Sequence, residues 1–150
     1  MKSKHCGLLV YESEDRFTTL RSVLDGLAVE TRCARNCREA DRLLLEAPET
    51  LVVVTDSVLA DGNWLDIVDL AARSREKVNV IVVSPFADVR LYIEVMDHGA
   101  YDFITDSFTV PELVHVLRSA ISSALLARER TTRLSAPTRQ YPHPPPPSHP

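Results

Sequence analysis

Five short apolar runs, each followed by a stretch with apolar residues at helical spacing, constrain this chain more than any other feature. GLLVY precedes RFTTLRSVLDGL, LAVETRC precedes READRLLLEA, and LVVVT precedes WLDIVDLAARS. VNVIVVS then precedes VRLYIEVMDHG, and YDFIT precedes PELVHVLRSAISSALLARER. A β-branched run such as LVVVT, with no polar alternation, predicts a strand buried on both faces. Helices must then cover both sides of a parallel sheet, joined by right-handed crossovers. The expected class is α/β, a three-layer sandwich around five parallel strands.

Helix punctuation supports the count. Asn36 with Glu39, and Thr109 with Glu112, have capping-box spacing. In that motif the first side chain bonds an early helix N–H and the glutamate reaches back. Pro111 falls in a first turn, where its missing N–H costs nothing. Gly26 and Gly99 are expected just past their helices, where a left-handed residue closes the last turn.

A chain of 150 residues with 45% hydrophobic content holds one domain with one sizeable core. The domain is placed at residues 1–130. Residues 131–150 carry seven of the ten prolines and no periodic apolar face, which predicts a disordered proline-rich tail. The net charge of −4 recommends no nucleic acid as a ligand, since Arg133 and Arg139 lie in that tail and leave the domain more acidic still. Cys6, Cys33 and Cys37 are odd in number, and MKSKHCG opens without a long apolar signal segment. A reducing, cytoplasmic setting is expected. No uninterrupted apolar run approaches the roughly 18 to 20 residues of a membrane span, so no membrane partner is expected.

Ligands of open parallel sheets bind beyond the carboxyl ends of the strands. There the chain offers Glu12 after the first strand, Asp56 after the third, Ser84 after the fourth and Asp106 after the fifth. Side by side, they make three carboxylates and a hydroxyl at one shallow mouth. Gly7, Gly26, Gly62 and Gly99 form neither a dinucleotide fingerprint nor a P-loop. Cys33 and Cys37 lack a second ligand pair at zinc spacing. Ser84 is in no GxSxG elbow, and His98 beside Gly99 is a helix-end dipole partner rather than a base. Read without a ligand, Asp56 caps its loop or the next helix, Glu12 is an acid in a helical first turn near Ser13, and Asp106 is an acid preceding the last helix. Trp64 is expected to be a partly buried loop residue.

From about Gly7 to Ser123 the chain resembles the receiver domain of bacterial two-component response regulators, most clearly in VVVTDSVLADGNWLDIV. VIVVSPF and HGAYDFITDSFTVPEL fit in order and spacing. The resemblance implies a flavodoxin-like, CheY-like sheet in the order 2-1-3-4-5. It makes Asp56 the phosphoryl acceptor and Ser84 the hydroxyl that bonds the phosphoryl group, with Phe103 as the aromatic switch. It implies Mg²⁺ held by Glu12, Asp56 and the Val58 carbonyl. It also implies a histidine kinase or phosphotransfer protein as donor, and a homodimer or protein partner on the face of helix 4, strand 5 and helix 5.

The departures are specific. Tyr11-Glu12 stands where the family has an acidic pair, and Asp106-Ser107 where it has lysine and proline. Ala60 replaces the loop proline, and Trp64 stands where glycine is common. Glu12, Asp56 and Asp106 give a formal −3 with the lysine gone. Two like charges about 4 Å apart cost roughly 4 kcal/mol at an effective dielectric near 20. One carboxyl then keeps its proton or a cation joins them, bound weakly because Mg²⁺ demands near-octahedral oxygen geometry. The expected function is a phosphorelay receiver accepting phosphoryl poorly on Asp56. The alternative is a phosphorylation-independent pseudo-receiver, an interaction module. Neither is an enzyme.

Overall fold

The order of the strands across the sheet follows from which runs are apolar throughout. The computed structural model describes residues 5–135. In chain order these form β1 (Cys6–Val10), α1 (Thr18–Gly26), β2 (Glu30–Ala34), α2 (Cys37–Glu46) and β3 (Thr50–Asp56). Next come α3 (Trp64–Ala72), β4 (Asn79–Ser84), α4 (Val89–Asp97), β5 (Asp102–Thr105) and α5 (Val110–Ser135). A 3-10 turn, Glu14–Arg16, leads into α1. A hairpin of two-residue strands, Val58–Leu59 with Gly62–Asn63, leads into α3 and is left unnumbered.

The five strands pair in parallel in the order β2-β1-β3-β4-β5, as expected. β1, β3 and β4 occupy the middle and every residue in them is buried. The polar ETRCA of β2 and the half-buried β5 form the edges. Side chains alternate between the two layers with the period of a strand. Leu8, Val10, Val53, Val80 and Val82 meet Ala40, Leu44, Ile67, Val68 and Val95 of α2, α3 and α4. Leu9, Tyr11, Val52, Val54, Ile81 and Val83 meet Leu20, Leu24, Leu113, Leu117 and Ala120 of α1 and α5.

Several boundaries differ from the sequence reading. Gly26 is the last residue of α1 rather than its terminator; the left-handed residue is Ala28, with φ of 60°. Val29 N–H donates to Leu24 O and Ala28 N–H to Asp25 O, the paired bonds of a Schellman end. Gly99 does take the left-handed position, with φ of 95°. Thr109 and Glu112 make the full reciprocal box. Asn36 accepts the Glu39 N–H at 2.8 Å, but the Glu39 carboxylate goes one residue further back, to the Arg35 N–H. Trp64 is a buried first residue of α3, not a loop residue, because Asn63 and Asp66 form a capping box that starts the helix there.

α5 runs to Ser135, five residues past the boundary placed at 130, and the proline-rich segment beyond it lies outside the described residues. Its stretch Val110–Arg133 is long enough, with a mean hydropathy of 1.2, to match a membrane span by composition. Here Leu113, Leu117, Ala120 and Ala124 turn its apolar stripe onto the sheet. Near its end Arg128 reaches under the amino ends of the strands. Its guanidinium donates to Lys77 O at 3.1 Å, Pro48 O at 3.0 Å and Thr50 O, and pairs with Glu76 at 2.9 Å. Three carbonyls at the starts of β3 and β4 thus share one planar fork.

Arg128→Ala should lower the unfolding free energy by about 2 to 4 kcal/mol in urea, and Arg128→Lys should recover less than half of it. Ala28→Gly should raise stability by about 1 kcal/mol in the same measurement, since the left-handed position then carries no Cβ penalty.

Candidate functional site

β3 delivers Asp56 to the carboxyl edge at the centre of the sheet. The register pairs Asp56 with Val83 on one side, and Val10 of β1 with Thr55 on the other. Asp56 is 8% exposed. Ser57 N–H donates to Val83 O at 3.1 Å, so the pairing of β3 with β4 continues past the aspartate. On the next strand Ser84 is buried, and its Oγ accepts the Phe86 N–H at 3.2 Å. Asp106 N–H donates to Ser84 O at 3.1 Å, which brings the exposed Asp106 to the same edge. Thr105 Oγ1 and Ser107 Oγ lie 2.8 Å apart beside it.

The structure therefore brings Asp56, Ser84 and Asp106 to neighbouring strand ends. Glu12 lies exposed in the turn after β1, ahead of the 3-10 segment rather than inside a helical first turn. Among the described residues no group of three or more His, Cys, Asp or Glu side chains is placed to hold a metal ion.

Tyr11, expected at the mouth in place of an acid, lies in the core. It has the strand parity of Leu9 and turns into the α1 and α5 layer, where its ring stacks on Phe17 at 4.7 Å. Burial pushes its phenol up to about 12, and the adjacent Cys33 sulfur acts in the same direction. Tyr11 belongs to the core rather than to the mouth. Phe103 faces the other layer, edge-on to Tyr92 at 5.9 Å. His98 closes α4 with Nδ1 2.7 Å from Glu94 O and meets the Trp64 ring edge at 5.5 Å, as a helix-end residue should.

The loop after Asp56 is tied down along its length. Trp64 N–H donates to Ser57 O, and Val58 pairs with Asn63. That pattern makes Val58–Asn63 a non-hydrogen-bonded pair, so the hairpin does not use the Val58 carbonyl. At the tip, Asp61 Oδ1 accepts the Cys37 N–H at 2.7 Å and Oδ2 the Arg38 N–H at 3.1 Å. These amides hold the Asp61 carboxyl below its ordinary range. Burial and the nearby Asp61 push the Cys37 thiol up to about 12. Nothing local in the sequence points from Asp61 to α2.

No family model matches the chain. By sequence it is similar to the response regulator protein PilR of Pseudomonas aeruginosa, 29% identical over 119 residues that cover 79% of this chain and 26% of that protein. It is also 27% identical over 129 residues to the nitrogen assimilation regulatory protein NtrX of Azorhizobium caulinodans, covering 83% of this chain and 28% of that one. The chain thus spans about a quarter of the length of these relatives. Among solved structures, the signal receiver domain of an HD domain-containing protein from Pseudomonas fluorescens superposes with a TM-score of 0.75 at 21% identity, covering 87% of this chain and 96% of that one. The beryllofluoride-activated NtrC4 receiver domain dimer superposes with a TM-score of 0.72 at 23% identity, over 79% and 97%. The fold is that of a CheY-like receiver domain, and the sequence is similar to response regulators of two-component systems.

Tyr11→Asp should not repair the site; it should cost about 2 to 4 kcal/mol by removing the Phe17 stack and burying a carboxyl. A raised phenol stabilises the fold fully below pH 10, and that contribution is lost as pH rises through about 12. The urea midpoint should accordingly fall between pH 10 and 12 in the wild type, and fall less in Tyr11→Phe.

Proposed function

We propose that the chain is a receiver module of a two-component relay, taking a phosphoryl group on Asp56 from a histidine kinase or phosphotransfer protein. The observation that carries the reading is a buried aspartate at the carboxyl end of the central strand, with Ser84 ending the neighbouring strand, in a receiver fold. A carboxylate oxygen of Asp56 forms the new bond to phosphorus as the bond to the donor's leaving group breaks and that group keeps the electron pair. Ser84, released from the Phe86 N–H, donates to a phosphoryl oxygen. The role is signalling by protein contact rather than turnover of a substrate.

A divalent cation would be held by Asp56, Glu12 and the Val58 carbonyl, with water filling its other positions. It supplies charge neutralisation at the phosphoryl group. Tyr11 adds no ligand from the core, and Asp106 offers repulsion where an ammonium would donate; both make the transfer weak. A cytoplasmic setting belongs to this reading, with Cys6, Cys33 and Cys37 as free thiols.

The partner surface in this reading is α4 with β5 and the start of α5. Phe86 is 75% exposed, Val89 72% and Ile93 52%, and Tyr92 on α4 and Val110 at the start of α5 are exposed too. This apolar patch supports a homodimer or a protein partner there.

Incubation with a small phosphodonor and Mg²⁺, followed by intact-mass measurement, tests the assignment. One phosphoryl adduct should appear, and Asp56→Asn should abolish it. Asp106→Lys should stabilise the adduct by about 1 to 3 kcal/mol, read as a higher yield or a lifetime longer by about fivefold or more. A folded Asp106→Lys protein that refuses every phosphodonor would leave the pseudo-receiver, binding through its α4 face.

A further inference from the structure

The segment that follows Asp56 is tied to the sheet at its base and to something else at its tip. Ser57 N–H is tied to Val83 O, and Trp64 N–H to Ser57 O. Leu59 is buried against the α2 and α3 layer. Two-residue strands give a hairpin little stability of their own. The exposed tip, Ala60-Asp61, would be free to fray if these were its only ties.

It is seated on α2. The amides of a helix's first turn have no partner within the helix. Asn36 takes the Glu39 N–H, and the Asp61 carboxylate takes those of Cys37 and Arg38, 24 and 23 residues away. Side chains thus satisfy all three first-turn amides of α2, two of them from the loop. The approach is close: a Cβ on Gly62 would overlap the Asp66 carboxylate and come within 3.0 Å of Cys37 Sγ. The lowered pKa of Asp61 fits a carboxylate placed at the positive end of a helix.

We propose that Asp61 is the positioning residue of the acceptor loop: by clamping the loop tip to the first two amides of α2, it sets the Val58 carbonyl beside Asp56. The proposal rests on the receiver reading of Asp56. It has a reciprocal consequence, because coupling between two equilibria is symmetric. If the clamp strengthens binding at Asp56, then binding at Asp56 strengthens the clamp. The amino end of α2 then registers what happens at the pocket, with no direct contact to it.

The test uses the full chain and Mg²⁺ alone as the probe. Amide hydrogen exchange is compared in wild type, Asp61→Ala and Asp61→Asn without metal, and Trp64 fluorescence then follows a Mg²⁺ titration. In Asp61→Ala, Cys37, Arg38, Ser57 and Trp64 should exchange faster by about tenfold, with β1 amides unchanged as the sign of local opening. Mg²⁺ should bind about three- to tenfold more weakly, and Asp61→Asn, which keeps a carbonyl acceptor, should recover part of both effects. In wild type, Mg²⁺ should slow exchange at Cys37 and Arg38.

Should Asp61→Ala not fold, Cys37→Pro removes one of the two donors from the α2 side. Proline suits a first helical position, and Asn36, at φ of −155° and ψ of 175°, already has the extended conformation that precedes one. Wild-type exchange at Ser57 and Trp64 in whichever variant folds overturns the proposal. If those amides depend on Asp61 while wild type neither responds to Mg²⁺ nor accepts a phosphoryl group, the clamp stands and the receiver reading of Asp56 falls.

Discussion

The structure depends on a central strand that is buried on both faces and paired on both sides. β3 runs from Thr50 to Asp56 without one exposed residue, between β1 and β4. A strand in that position has no freedom of register, since a shift by one residue would exchange the two faces of the core. Asp56 is held to the same degree as the valines before it. It also sits where the strand order reverses: the chain passes from β1 outward to β2 and then back across to β3, and crossovers leaving in opposite directions open a crevice there. A carboxylate at this place is largely withdrawn from solvent at the edge of the sheet.

Parity along β1 decides how rich the mouth is in charge. Leu9 and Tyr11 share one face and Val10 the other, so position 11 points into the α1 and α5 layer with Phe17 and Leu20. An aromatic residue there gains a stack and apolar burial that an acid would forgo. Position 11 thus serves the packing of the core rather than the mouth around Asp56. Asp106 carries the opposite exchange, a charge without a hydrogen to donate where the family has an ammonium. Together they leave a receiver-type fold intact, with Tyr11 in the core and an exposed carboxylate at position 106.

The two ends of the sheet are stabilised by different means. At the amino ends, Arg128 gathers the Pro48, Thr50 and Lys77 carbonyls and joins α5 to the loops before β3 and β4. At the carboxyl ends, Asp61 joins the loop after β3 to the start of α2. Both are charged side chains satisfying backbone groups that neither helix nor strand can pair. Both also cross long stretches of chain: Arg128 spans 51 to 80 residues to its carbonyls, and Asp61 spans 23 to 24.

The sequence by itself determined the elements, their order and the strand-end position of Asp56, because each is written in neighbours two to four residues apart. LVVVT closed by Asp56 is a buried strand and its end, and Thr109 with Glu112 is a helix start, whatever surrounds them. Ala28 at a left-handed position with Gly26 nearby, the burial of Trp64, and α5 running on to Ser135 were not legible, because packing against the rest of the domain chose among locally similar options. The tertiary structure alone decided that Tyr11 fills the core against Phe17 and that Asp61 caps a helix from another crossover. Those contacts arise only when elements distant in the chain have docked, and no local period of the sequence encodes which amide a distant carboxylate will meet.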